Sequence, residues 1–303
     1  MNLHHLRIFH ALVTAGSFTG AARRLGISQP AVTIQVRELE RSSGVRLLDR
    51  RARRLQLTDP GQALFKISER VFALVDEAEA VLAQAGGRIA GSLRISGSGT
   101  SGTYLLLPTL TAFRRRYPGV RVQLEISNSR HVLEQVASFE ADLGVLAGPD
   151  AATPLTVTDD PRLVVQPFVR EPLVLAVPPR HPWSRRRAIR VADLADQLLI
   201  VREPGSTTRR VLESQLEAAR VTPRIAMELG SNEAIKHAVG AGLGVALLGA
   251  TVIERESAAG RLRGIRVRGD GLSLRFFFVY HRDRAHAPVL RAFLGLARAP
   301  RRD

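Results

Sequence analysis

The chain has 303 residues, no cysteine, and 44 basic against 28 acidic side chains, for a net charge of +16. That length gives room for roughly two domains, the missing thiols exclude disulfides, thiol catalysis and zinc–thiolate sites, and no run of about eighteen apolar residues offers a transmembrane helix. Residues 1–58 hold ten arginines and three acids, so +7 of the charge lies on the first fifth of the chain, the footprint of a nucleic-acid module. The preference for arginine over lysine reads as compositional bias.

Apolar groups at Leu3, Leu6, Phe9, Leu12 and Val13 predict a first helix over 3–15. Its histidine-bearing start lacks the basic-then-apolar pattern of a signal peptide, and the absence of cysteine fits a cytoplasmic protein. Ser17 caps a second helix with Phe18, Ala21, Ala22 and Leu25 on one face. Gly26 ends it by accepting a left-handed conformation. Ser28 caps the next helix and Pro30 sits in its first turn. Val32, Val36 and Leu39 form an inward stripe, leaving Gln29, Thr33, Ile34, Gln35 and Arg37 outward. Two short helices around a tight turn are a helix-turn-helix, whose second helix presents its first residues to base edges in the DNA major groove. Gln29, Pro30, Thr33 and Ile34 are expected nearest the bases, with Ser28 beside them and Arg37 towards phosphate. Residues 45–58, VRLLDRRARRLQLT, read as a β-wing with Arg50, Arg51, Arg53 and Arg54 at its tip, placed for a phosphate backbone or minor groove. An isolated arginine run is a solvated turn; directly behind a helix-turn-helix it is assigned to DNA.

Thr58, Asp59 and Pro60 start a helix expected over 58–86. Leu64, Ile67, Val71, Leu74, Ala78 and Val81 recur at alternating spacings of three and four, the seam of a paired helix. Phe65, Phe72, Val75 and Leu82 widen the stripe, which also suits an amphipathic helix lying on its own domain. Pairing is favoured, because a dimer supplies two reading heads for two half-sites.

After Gly86 and Gly87, short apolar segments alternate with helical ones: 92–96, 120–126, 141–146, 172–177, 197–201, 224–229, 244–248 and 274–280. This predicts α/β units with parallel sheets, and some 210 residues suit two lobes around a ligand cleft.

The segments SFTGAARRLGISQPAVTIQVRELE and LLDRRARRLQLTDPG resemble the DNA-binding domain of LysR-type transcriptional regulators. Thr33 stands where that family usually has Ser, and Leu48 where it has Phe. The later segments EADLGVLAG, LLIVREPGSTTRRVLE and ELGSNEAIKHAVGAGLGVALLG resemble its effector domain, most closely the branch that regulates carbon fixation and sulfur metabolism. The resemblance implies a winged helix-turn-helix over 1–57, a linker and dimerisation helix over 58–87, and a periplasmic-binding-protein-like effector domain over 92–303. Lobe I would cover 92–166 with 270–303, and lobe II 167–269. It further implies a homodimer or homotetramer on double-stranded DNA, contact with RNA polymerase, and no enzyme activity, cofactor or membrane.

Several strand-to-helix turns carry hydroxyls and free N–H groups suited to an anion. They hold Thr100, Ser101 and Thr103; Asn128; Arg202 with Ser206 and Thr207; and Ser231. Any one alone is a plain helix cap; facing one cleft, as the resemblance implies, they predict a small anionic effector. Gly97 to Gly102 also fits the G-x-G-x-x-G dinucleotide fingerprint, with Glu125 downstream, which would indicate an oxidoreductase. Pro108 and the position of Glu125 inside its strand count against this. A transporter's solute-binding protein is disfavoured by the amino-terminal module. The HRDRAH segment at 281–286 reads as a surface loop, and no metal site is expected.

Overall fold

The computed structural model describes residues 2–49 and 55–298, which form two compact units. In the first, α1 (Leu3–Ala15), α2 (Phe18–Leu25) and α3 (Gln29–Ser43) form the helix-turn-helix. The Ser17 hydroxyl accepts from the Gly20 N–H at 3.1 Å, and Ser28 accepts from Ala31 at 3.3 Å. Gly26 sits at φ +67°, where a Cβ would be strained. Leu6, Phe9, Leu12, Val32, Val36 and Leu39 close the core. The wing is reduced, among the described residues, to one antiparallel bridge between Leu48 and Leu57. It is pinned from α3 by the buried Glu40, whose Oε1 accepts the N–H groups of Leu47 at 2.8 Å and Leu48 at 3.2 Å. Helix α4 (Asp59–Ala85) follows, with the Thr58 hydroxyl accepting from Gly61 at 3.2 Å.

Among the described residues the second unit is built on ten strands: β1 (Gly91–Ser98), β2 (Val120–Ser127), β3 (Leu143–Pro149), β4 (Leu163–Val177), β5 (Ala188–Arg190), β6 (Leu198–Arg202), β7 (Arg224–Leu229), β8 (Ala246–Gly249), β9 (Arg263–Arg268) and β10 (Ser273–His281). Between them lie α5 (Leu107–Arg116), α6 (Ser129–Ala137), α7 (Pro154–Val157), α8 (Thr207–Ala218), α9 (Asn232–Gly240) and α10 (Glu254–Ala258), and α11 (Pro288–Arg298) follows β10. The parallel sheets expected from the alternation are in fact mixed. β1 is parallel to β2 and β3, β5 to β9, and β6 to β7; β10 runs antiparallel to β3 and β4, and β4 antiparallel to β8 and β9.

The expected strand at 172–177 is only the second half of the 15-residue β4. Pro167 obscures the first half in the sequence; the β4–β10 register shifts there, opposite Phe276 and Phe277, so its missing N–H is tolerated. Strands β5 and β9 were not anticipated: the first has three residues, and the second buries only Ile265 and Val267 between exposed arginines. HRDRAH is not a surface loop throughout. His281 and Arg284 are buried, and Arg284 Nη2 reaches Asp142 Oδ1 at 3.1 Å, an oxygen that Arg94 also holds at 3.0 Å.

One polar cluster joins distant parts of this unit. Tyr104, in the π-turn Ser101–Leu105, donates its hydroxyl to Glu233 Oε1 of α9 at 2.6 Å. The buried Lys236 ammonium bonds Glu233 at 2.8 Å and Glu256 of α10 at 3.0 Å, and lies 5.4 Å from the Tyr104 ring centroid. Burial, then the Glu233 carboxylate, pushes the Tyr104 phenol above its ordinary range. Burial pushes Glu233 upward too, but the bonds from Lys236 and Tyr104 outweigh it and hold its carboxyl below the usual range.

Glu40→Ala leaves the buried Leu47 N–H without its acceptor and is expected to destabilise the first unit by about 1–3 kcal/mol in urea unfolding. Because Glu233 titrates lower folded than unfolded, its contribution is present above the ordinary glutamate value near about 4.3 and is lost as pH falls through the folded value. Glu233→Gln should therefore melt below wild type at pH 7, with the gap closing as pH is lowered past that range.

Candidate functional site

The first unit presents the outer face of α3. Ser28, Gln29, Pro30, Ile34 and Arg37 are exposed and Thr33 is half-buried, its hydroxyl donating to the Gln29 carbonyl at 3.2 Å. Ile34 is 62% exposed, unusual for an isoleucine on a short helix with its own core. Arg50, Arg53 and Arg54, with Arg51, lie outside the described residues. On α4 the seam divides. Leu64 and Val71 pack on the helix-turn-helix core beside Phe65 and Phe72, while Ile67, Leu74, Ala78 and Val81 are exposed. Ile67, Leu74 and Val81 are each about half exposed and seven residues apart, which places an apolar ridge on one face.

In the second unit a cleft opens where strands end. β1 delivers Ser98, Gly99 and Thr100; β2 delivers Ser127, Asn128 and Ser129; β6 delivers Arg202 and Glu203, followed by Ser206, Thr207 and Thr208 at the start of α8. Ala147, Leu274 and Phe276 form the floor. Crevices beyond the carboxyl ends of strands are where α/β sheets bind ligands, because helix N-termini and loops converge there.

Arg202 is the cleft's centre and is only 8% exposed. Its Nη1 donates to Asn232 Oδ1 at 2.7 Å, and Asn232 Nδ2 donates in turn to Thr100 Oγ1 at 3.3 Å. Nε and Nη2 reach the Glu203 carboxylate at 2.7 and 2.9 Å. Gly99 matters for this packing: a Cβ there would stand 3.2 Å from Arg202 Nη2. Asn128 caps α6, accepting from His131 at 3.0 Å. Thr207 donates to the Ala147 carbonyl at 3.0 Å. By contrast, Ser206 and Thr208, buried as residues, make no side-chain hydrogen bond among the described residues, and their hydroxyls stay open to the cleft.

Of the predicted cleft residues, Thr100, Asn128, Arg202, Ser206 and Thr207 converge. Ser101 does not line the cleft; its buried hydroxyl is committed to the carbonyls of Val145 at 2.8 Å and Ser98 at 3.0 Å. Thr103 is exposed on the π-turn away from it, and Ser231 caps α9, its neighbour Asn232 making the cleft contact. Ser98, Ser127, Ala147, Leu274 and Phe276 were missed. The last two come from β10, far along the chain, and no local motif marks them. The glycine fingerprint serves packing: a Cβ on Gly97 would come within 2.8 Å of the Gly102 Cα. Among the described residues no cluster of His, Cys, Asp or Glu could hold a metal ion, and no helix is long and apolar enough to cross a membrane.

Residues 3–62 match the bacterial regulatory helix-turn-helix protein of the lysR family, and residues 86–300 match the LysR substrate binding domain. A probable RuBisCO transcriptional regulator of Cyanidioschyzon merolae is 36% identical over 93% of this chain and 92% of its own length. Full-length CbnR, solved with its target DNA, shares the fold with a TM-score of 0.70 at 24% identity, covering 98% of this chain and 99% of its own. The CcmR regulatory domain of Synechocystis PCC6803, solved in complex with 2-PG, has a TM-score of 0.60 at 27% identity, covering 68% of this chain and 95% of its own. A reading helix, a polar cleft at the strand ends and matches over both units lead to one conclusion: the chain belongs to the LysR family of transcription regulators.

Proposed function

We propose that the cleft around Arg202 senses a small anionic metabolite and that its occupancy governs how the protein engages operator DNA. The observation that carries this is the convergence of a buried guanidinium with the two unbonded hydroxyls of Ser206 and Thr208 at the N-terminus of α8. That end of a helix carries partial positive charge and free N–H groups, so it favours an anion. The 2-PG complex of the similar CcmR domain supports the same chemistry, and kinship to RuBisCO regulators supports a role in carbon-fixation genes.

In this account Gln29, Pro30, Thr33 and Ile34 meet base edges with Ser28 beside them, Arg37 lies towards phosphate, and the wing arginines Arg50, Arg53 and Arg54 meet the backbone or minor groove. The exposed ridge of Ile67, Leu74, Ala78 and Val81 pairs two subunits, with Leu64 and Val71 anchoring α4 to its own reading head. The pairing yields a homodimer or a tetramer of two such pairs. Contact with RNA polymerase and a cytoplasmic location belong to the same proposal. Effector binding biases one of two arrangements of the paired heads.

The test is thermal unfolding of the full chain with 2-PG, inorganic phosphate or a nicotinamide dinucleotide. A binding anion at a hundredfold excess over its Kd should add about 2.7 kcal/mol to stability; stabilisation by the dinucleotide alone would sink the anion cleft. For the reading head, Gln29→Ala with Thr33→Ala should lower the preference for operator over random DNA by about 1–3 kcal/mol per lost contact. An unchanged ratio of the two affinities removes these side chains from base recognition.

A further inference from the structure

We propose that Glu203 is a built-in stand-in for the effector: without effector, its carboxylate occupies the edge of Arg202 that the effector's anionic group takes when it binds. This rests on the anion-sensing reading above and adds the group that must leave.

The two partners are held very differently. Arg202 is 8% exposed and fixed from behind through Asn232, itself tied to Thr100. Its remaining edge, Nε and Nη2, is the planar fork that matches a carboxylate or a phosphate with two parallel bonds. Glu203 fills that fork at 2.7 and 2.9 Å. Its own side chain is 28% exposed, and the carboxylate makes no other hydrogen bond among the described residues. So the cation is held by Asn232 as well as by Glu203, whereas the carboxylate is held by Arg202 alone and is open on its solvent side.

A buried guanidinium needs an opposite charge, because a lone charge at low exposure is strongly disfavoured. Glu203 meets that need when no effector is bound. A bound anion meets the same need, and two negative groups cannot share one fork without repulsion. Occupancy by the anion and the Arg202–Glu203 pair are therefore mutually exclusive. The other donors are in place for the newcomer: the unbonded hydroxyls of Ser206 and Thr208 line the same cleft, each residue only 7% exposed. Gly205, between Glu203 and Ser206, sits at φ +90° with nothing within 4 Å of a Cβ position, so the turn carrying Glu203 has space beside it. The displaced carboxylate moves into solvent, with no bond made or broken covalently.

The exchange predicts that Glu203 sets affinity by competition. Calorimetric titration of the full-length protein with 2-PG and with inorganic phosphate tests this on wild type and Glu203→Gln, a change that keeps the shape and removes the charge. The variant should bind about tenfold tighter or more, and its ligand-free form should melt lower than wild type, with the loss recovered by ligand. An affinity that is unchanged or weaker in Glu203→Gln, with wild type binding normally, overturns the stand-in and leaves the anion cleft standing. Binding by the variant alone supports the stand-in in its strongest form. Binding by neither, with both melting cooperatively, overturns the cleft assignment and the stand-in together. Glu203→Ala guards against an effect of the glutamine amide, and it must shift affinity in the same direction.

Discussion

The effector unit depends on one strand that changes partners midway. β4 pairs with β10 through residues 163–172 and then, over 173–177, with β8 on one side and β9 on the other. The switch is pinned by Glu171, buried at the junction, whose carboxylate accepts both the Thr251 N–H at 2.7 Å and the Thr251 hydroxyl at 2.8 Å. Gly249 lies against it, and a Cβ there would stand 2.7 Å from Glu171 Oε1. Because β4 belongs to both pairings, the β1–β2–β3–β10 layer and the β8–β9–β5 layer form one continuous sheet. Closely packed polar junctions of this kind specify a single register, since a slip of one residue would bury Glu171 without its donor partners.

That shared strand explains where the cleft lies. β1, β2 and β3 run parallel, so their carboxyl ends emerge on one side. β6 ends at Arg202, and the hydrogen bond between Ile200 and Val245 at 2.9 Å attaches it beside β8. The polar groups of the cleft lie at or just after these strand ends, while β3 and β6 themselves are largely apolar and buried. Position in the sheet therefore brings together residues more than a hundred apart in sequence, such as Thr100 and Asn232. Tyr104 with Glu233 and Lys236 makes a second such connection a few residues along the same elements.

What could be read from the chain follows from how local each signal is. The helix-turn-helix was legible nearly residue by residue, because caps, Pro30, Gly26 and the Val32–Val36–Leu39 stripe act within one or two turns. α4 was legible as a helix, but its seam was not, since Leu64 and Val71 pack inward while Leu74 does not, and periodicity alone does not separate the two. Strand-to-helix turns were visible as candidates; which hydroxyls remain free was not. Ser101 and Thr207 look like Ser206 in sequence, yet the first two bond the carbonyls of Val145 and Ala147 on β3, a strand remote from both in sequence. Likewise the antiparallel partners of β4 and β10 leave no local trace, and the bulge at Pro167 disguises a strand as a break.

A chain at +16 attracts anions over its whole surface. Exposed arginines do not discriminate among them: at physiological salt their field decays over about 8 Å, and any anion of equal charge feels it alike. Discrimination requires donors whose positions are fixed before the ligand arrives, so that the wrong shape leaves a buried donor unpaired. Arg202 meets that condition because Asn232 and Thr100 hold it, and the Ser206 and Thr208 hydroxyls meet it because α8 does. In the proposed exchange the Glu203 carboxylate, bonded to Arg202 Nε and Nη2, adds a threshold: an anion is admitted only when its two oxygens satisfy the guanidinium better than the resident carboxylate does. In the proposed sensor, selectivity thus comes from a locally neutral cleft inside a strongly basic molecule, where shape and donor placement outweigh the surrounding charge.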